Sequence, residues 1–259
     1  MSNRATPTAP STERLATFRL DVKYTRIAQA FEAAGIGTIL LKGPAFDQLL
    51  FDGTRSRSYA DIDLLVDPDR LVAAERIMEQ RGFGGPNWKT VLLRLFRRGA
   101  VAAGVARAPH ASAWIRGGDG FTVDLHATLP EVGASPETVW RVLGAHRCTI
   151  TVTGTEVQTL DQPATALLIA LHAAHHGPAW NRAHTDLRRA CEVLERDCWD
   201  DALRLARDLR SEAAMGLGLG TTEAGRILAR ELGLRTEPRV AYRLRWSGIA
   251  WLDRRHSRM

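Results

Sequence analysis

The sequence predicts an α+β fold in which strands and helices interleave up to about residue 161 and a mainly helical region follows. Three observations predict it. The run from Arg57 to Val66, RSYADIDLLV, alternates acidic and apolar residues in its second half as a buried strand does. Segments 110–126 and 149–160 each read as two short strands joined by a glycine-bearing turn, Gly117 to Gly120 in the first and Gly154 in the second. Beyond Pro163 the apolar residues recur at helical spacing, with helices expected at 163–176, 182–196, 199–210 and 221–233.

In chain order, residues 1–16 are rich in Thr, Pro, Ser and Ala and are expected to form a flexible segment. Asp21 to Ala34 is patterned as an amphipathic helix, with Val22, Ile27, Ala30 and Phe31 on one side and Gly35 at its end. An apolar strand over 36–42 breaks at Gly43 and Pro44 into a short helix over 44–51. Residues 52–58 form a polar loop leading into the strand that carries Asp61 and Asp63. Asp67-Pro68-Asp69 then starts a helix, with an acceptor at the cap, proline at the first position and a second acid in the first turn. Those two acids are thereby assigned to the helix start rather than to metal ligation. The helix runs from Arg70 to Gln80, before Gly82, and another is expected over 87–98. The resulting division is 1–16, 17–161 and 162–259.

Side chains two apart on a strand share a face, so Asp61 and Asp63 point the same way with Cα atoms about 7 Å apart, while Ile62, Leu64 and Val66 fill the other side. Two like charges buried side by side are costly unless cations neutralise them, which points to a metal. Upstream, Gly43 permits close backbone approach to a ligand, and the open start of the following helix attracts phosphate. Lys42 is one of only three lysines, with Lys23 and Lys89, in a chain of 35 basic residues, which singles out its compact ammonium beside that turn. Downstream, Phe121-Thr-Val-Asp124-Leu-His126 alternates again and brings a third acid on a second strand, with His126 on the same face.

This set resembles the nucleotidyltransferase superfamily built on a polymerase β-type catalytic core, whose signature is a glycine-containing turn, an Asp-x-Asp strand and a later lone Asp. More narrowly, LLKG, R-x-x-x-DIDLLV, a helix ending in Gly82-Phe83, VDLH and the downstream LHAAHHG resemble a bacterial group of largely uncharacterised nucleotidyltransferases, over roughly residues 20–200. Gly43 departs from the superfamily pattern: Pro44 follows it, and Asp61 lies eighteen positions further on, where Gly-Ser or Gly-Gly and a shorter gap are usual. The resemblance implies a mixed sheet flanked by helices, with a catalytic domain at 17–161 and a helical region at 162–259. It implies attack on the α-phosphorus of a nucleoside triphosphate such as ATP, transfer of a nucleoside monophosphate and release of pyrophosphate. Asp61, Asp63 and Asp124 would hold two Mg2+ ions, with Mn2+ as an alternative, and Asp124 would help deprotonate the acceptor hydroxyl. Lys42 and Gly43 would touch the triphosphate, and Arg57 would neutralise its developing charge. Members of the group often accompany biosynthetic clusters for modified peptides or other secondary metabolites, which implies a tailoring enzyme acting on a small-molecule or peptide acceptor.

Other residues carry two readings each. His126 either orients a carboxylate or contacts substrate, or is a satisfied core histidine. His172, His175 and His176 stand at i, i+3 and i+4 on an expected helix; the preferred reading makes them a cluster facing the catalytic part, with His172 and His176 lining an acceptor pocket, and a zinc site is the lesser one because no further ligands are identifiable. The net charge of +6 is concentrated in residues 235–259, where seven arginines face only Glu237 and Asp253. That stretch reads as a solvated tail, as a helix packed through Trp246, Ile249, Ala250 and Trp251, or as a surface for a polyanion. Nucleic acid is therefore a possible partner but not a favoured one. No segment has the length and apolarity of a membrane span or signal peptide, and three cysteines without Cys-x-x-Cys spacing suit reduced thiols, so a soluble cytoplasmic protein with no membrane partner is expected. The competing functions are an aminoglycoside-modifying enzyme, a toxin-type nucleotidyltransferase acting on tRNA or protein, and a noncatalytic nucleotide-binding module.

Overall fold

The computed structural model describes residues 12–52, 59–85, 111–178 and 180–238, together with Tyr242 and Trp246. Helix α1 (Thr12–Ala33) precedes strand β1 (Thr38–Leu40), and Gly35 at φ 68° makes the turn between them. Helix α2 (Pro44–Phe51) follows, then β2 (Asp61–Val66). A single 3-10 turn (Pro68–Arg70) leads into α3 (Leu71–Gln80). Strands β3 (Phe83–Gly84), β4 (Ala111–Arg116) and β5 (Thr122–His126) come next, then α4 (Pro136–Ala145). The hairpin β6 (Arg147–Val152) and β7 (Thr155–Leu160) closes the strand-bearing part. Helices α5 (Gln162–His176), α6 (Asn181–Val193), α7 (Arg196–Asp208), α8 (Glu212–Leu219) and α9 (Glu223–Glu231) follow.

The seven strands form one mixed sheet in the order β3-β4-β5-β2-β1-β7-β6. The pairs β2/β5 and β1/β7 are parallel, and the remaining neighbours are antiparallel. Alternation along the central strands divides the interior into two cores. Leu40, Ile62, Leu64, Val66, Val123 and Leu125 pack with Tyr24, Ile27 and Phe31 of α1 and Met78 of α3 on one face. Ile39, Leu41 and Leu65 face the other way, into a core shared with α2 and the C-terminal helices. Ile62, Leu64 and Val66 are each fully buried, an arrangement that stabilises the strand by about 2 kcal/mol per side chain. The acids of β2 therefore lie on the face turned toward the helical region, which shares its core with the sheet rather than folding apart from it.

Several expectations need adjustment. The first helix begins at Thr12, so Thr12 to Ala16 are helical where a flexible segment is expected, and Asp21 lies within the helix, 2 % exposed, accepting a hydrogen bond from the Tyr59 hydroxyl. Strand β2 begins at Asp61, with two residues between it and the end of the expected loop 52–58. Asp67 does act as a cap: its side chain accepts from the Asp69 amide at 3.0 Å. The expected helix 182–196 ends at Val193, and a new one starts at Arg196. Helix α8 was not expected, because Gly216 and Gly218 lower its intrinsic propensity. The expected helix 87–98, residues 1–11, Arg57 and the Ile249, Ala250 and Trp251 face lie outside the described residues.

Among the described residues no helix is long and apolar enough to cross a membrane. The three cysteines are free thiols, and burial pushes Cys191 and Cys198 up to about 11. With so little thiolate at neutral pH, both are expected to react with iodoacetamide at pH 7.5 far more slowly in the folded chain than after denaturation; equal rates, read by mass spectrometry, would contradict this burial.

Candidate active site

The site is built where β1, β2 and β5 lie side by side. The parallel register of β2 and β5 sets Asp63 opposite Asp124 and Leu65 opposite His126. Side chains in register on adjacent strands share a face, so both acids and the imidazole project toward the helical layer. His126 Nε2 lies 3.0 Å from Asp63 Oδ1, with both side chains about 5 % exposed or less. Beyond β1, the Leu41 amide donates to the Asp63 carbonyl at 3.0 Å and keeps the chain alongside β2 for one more residue. Lys42 then delivers its ammonium to 2.8 Å from Asp63 Oδ1. Gly43 follows at φ 67°, ψ −120°, a left-handed backbone that disfavours any residue with a Cβ, and Pro44 opens α2.

Electrostatics separate the two facing acids. Burial by itself would raise the Asp63 carboxyl; the Lys42 ammonium and the His126 hydrogen bond outweigh it and hold Asp63 well below the usual carboxylate range. Asp124 is raised, first by burial, then by the negative charges of Asp63 and Asp61, with His126 and Lys42 pulling only partly the other way. One carboxylate is thus kept ionised and its neighbour is inclined to hold a proton, as expected for acids sharing one site.

One ligand atom from each of Asp63, Asp124 and His126 lies within 4.8 Å of the other two, and this is the one such metal-capable group among the described residues. Its composition differs from the expected Asp61, Asp63 and Asp124. Asp61 starts β2 and lines the same cavity but falls outside the cluster, while His126 enters it. The donor set fits a divalent cation: two carboxylates supply hard oxygen ligands suited to Mg2+, and the imidazole adds a donor that Mn2+ also accepts. Lys42 already places a positive charge on Asp63, on the side where a cation would be needed.

A cavity opens over this cluster. Its sheet wall carries Lys42, Gly43, Tyr59, Asp61, Asp63 and Asp124. Its helical wall carries His172, His175 and His176 from the end of α5, with Trp180 and Arg182 from the start of α6. His172 and His176 have ring centroids 4.5 Å apart, and Trp180 stacks on His176 at 4.9 Å and 22°. The expected site residues Lys42, Gly43, Asp61, Asp63, Asp124, His126, His172 and His176 therefore meet in one place, whereas Arg57 lies outside the described residues. The three histidines form no metal-capable group of their own among the described residues. Asp186 is buried in α6 and does not line the cavity.

Sequence reasoning missed Tyr59, Trp180, Arg182 and Glu131. Glu131 stands at φ 64°, an uncommon backbone for a residue with a Cβ, and its carboxylate accepts from His175 Nδ1 at 3.0 Å and from the Tyr242 hydroxyl at 2.6 Å. Trp246 Nε1 donates to the Ala174 carbonyl at 3.0 Å. Two residues of the basic C-terminal stretch are thus anchored beside the end of α5. The signal in the sequence was the run HAAHHGPAW, whose tryptophan follows the histidines by one loop.

A mixed sheet presenting acids from adjacent parallel strands, beside a lysine-glycine turn that opens a helix, defines a nucleotidyltransferase-type core. The chain belongs to the family of uncharacterised nucleotidyltransferases, which it matches over residues 10–224. No curated protein matches the chain. Similar solved structures include the antibiotic-resistance factor ANT(2'')-Ia, with 17% identity over 78% of this chain and 95% of that one at a TM-score of 0.48. The lincosamide antibiotic adenylyltransferase LnuA has 15% identity over 67% of this chain and 96% of its own, at a TM-score of 0.43. An antigenic nucleotidyltransferase-like protein from Paracoccidioides brasiliensis has 13% identity over 76% and 91%, at a TM-score of 0.40.

Proposed function

We propose that this nucleotidyltransferase is magnesium-dependent and transfers a nucleoside monophosphate from a nucleoside triphosphate to a hydroxyl of a small-molecule or peptide acceptor. The observation that carries the reading is the Asp63–Asp124 register with His126, facing a cavity that Lys42 and Gly43 also line. Asp63, Asp124 and His126 would hold a divalent cation, with Asp61 near enough along the strand to serve a second; the cation supplies charge neutralisation for the reacting phosphate oxygens. Lys42, now paired with Asp63, is positioned to turn to the triphosphate once that carboxylate is otherwise neutralised. Gly43 lets the backbone approach the phosphates at the start of α2. In the transfer, the acceptor oxygen bonds to the α-phosphorus, the bond from that phosphorus to the β-phosphate bridging oxygen breaks, and pyrophosphate leaves. The hydroxyl proton passes to the Asp124 carboxylate, which stands opposite Asp63 on the neighbouring strand.

The experiment is magnesium-dependent consumption of each of the four ribonucleoside triphosphates with small-molecule and peptide acceptor pools. Pyrophosphate release coupled to labelling of an acceptor supports the reading; release of orthophosphate or of nucleoside diphosphate goes against it.

Cation binding also has a pH sign. A carboxyl raised in the folded state holds a proton that the unfolded chain has lost, so its stability contribution declines as pH rises above the ordinary carboxyl value of about 4. The deprotonated form is the ligand, so cation affinity rises over the same window. The increase in melting temperature on adding Mg2+ or Mn2+ is expected to grow between pH 5 and 8. A shift independent of pH, or one larger at pH 5, would count against Asp124 as a ligand.

A further inference from the structure

Resting on that reading of the site, we infer that the acceptor is an anion, bearing a phosphate or carboxylate group that the helical wall of the cavity receives through Arg182, His172 and His176. The two walls differ in charge. All carboxylates among the described residues lining the cavity, Asp61, Asp63 and Asp124, are on the sheet side, where a cation would neutralise them. Among the described lining residues, the opposite wall carries the Arg182 guanidinium and the His172, His175 and His176 imidazoles and no acid. Glu131 is nearby but is engaged with His175 Nδ1 and the Tyr242 hydroxyl, and its side chain is 6 % exposed. A polyamine acceptor would set its ammonium groups against Arg182, a repulsive arrangement that no acid among the described residues of that wall offsets. An anionic group meets a planar guanidinium able to grip it with two parallel hydrogen bonds.

One part of this wall, the end of α5, is tied to the β5 side of the sheet. The relevant sheet order is β5-β2-β1, with Asp124 on β5 and Lys42 and Gly43 leaving β1. In an in-line displacement the leaving pyrophosphate and the attacking oxygen occupy opposite ends. Lys42 and Gly43 serve the leaving end, so the acceptor enters from the β5 flank. Glu131, on the segment following β5, ties His175 and the end of α5 to that flank. The Trp180 ring stacked on His176 gives the same wall a flat apolar surface for the body of the acceptor.

The test uses the full chain saturated with Mg2+ and α,β-methylene ATP, titrated with inorganic phosphate and, separately, with ethanolamine, while the histidine side chains are followed by NMR. Saturable shifts of His172 and His176 with phosphate but not with ethanolamine are expected. Arg182→Gln, at an exposed position, should weaken the phosphate response at least fivefold and leave the analogue affinity and the melting temperature unchanged. No saturable phosphate response overturns the inference. So does an Arg182→Gln variant that binds the nucleotide analogue more weakly, because the wall would then serve the donor triphosphate. If neither this analogue nor its GTP, CTP and UTP counterparts bind with Mg2+, the nucleotidyl-transfer reading fails by itself; phosphate binding to the protein alone, weakened by Arg182→Gln, then still supports the anion subsite, and its absence overturns it.

Discussion

Asp63→Ala is expected to lower magnesium-dependent pyrophosphate release at least 10^3-fold, equivalent to about 4 kcal/mol of barrier, and to abolish the cation-induced rise in melting temperature. The reason lies in how many roles meet on this one buried carboxylate. It faces Asp124 across the parallel register, accepts from His126 and pairs with Lys42. Without it, one ligand is lost and Lys42 is left beside a less negative site, so the positive charge that should reach phosphate is no longer balanced when the site is empty of nucleotide. Asp61→Ala, outside the metal-capable cluster, is expected to leave more of the cation-induced shift than Asp63→Ala does. An Asp63→Ala protein that folds, by circular dichroism, and keeps more than a tenth of wild-type activity would sink the assignment. Asp63→Asn is the second variant to measure, because it keeps the shape and removes only the charge.

Gly218→Ala is expected to cost about 3 kcal/mol of folding stability, a fall in melting temperature of roughly 6–12 °C for a chain of this size. Ordinarily the change would help a helix by up to about 1 kcal/mol. Here α8 crosses α5 so closely that an added Cβ would strike the Ala170 carbonyl, with its carbon at 2.7 Å, and would stand 3.1 Å from the Ala174 amide nitrogen. These are backbone atoms, which cannot rotate away. Gly144→Ala in α4 is the matched control: its nearest neighbour is the flexible end of Arg147 at 4.0 Å, so the same change should be neutral or stabilising there. Equal effects at the two glycines, measured by thermal or urea unfolding, would show that the α5–α8 contact is looser than described. The contact bears on the candidate site because the end of α5 carries His172, His175 and His176, which line its cavity.

The pair Asp61 and Asp63 was legible because a strand has a fixed period of two: once DIDLLV is a strand, both acids must share a face and Ile62, Leu64 and Val66 must share the other. Asp67 was legible for a similar local reason, since the cap, the proline and the first-turn acid are consecutive. Helix α8 was not, because its glycines read as breakers until α5 is seen against them. Asp21 was misleading in another way: it is a buried mid-helix acid to which Tyr59, 38 residues away, donates.

The sequence by itself determined the strand faces, the proline-marked helix starts at Pro44 and Pro68, the lysine-glycine turn and the kind of chemistry that three acids in this pattern can support. Tertiary structure alone decided that Asp63 stands opposite Asp124 rather than one residue out of register, that His126 rather than Asp61 completes the metal-capable cluster, and that Arg182 and Trp180 face it across a cavity. The division has a physical cause. Periodicity and capping depend on neighbours along the chain, whereas register, wall charge and close helix approach depend on which strands and helices pack together, through contacts between residues far apart in sequence.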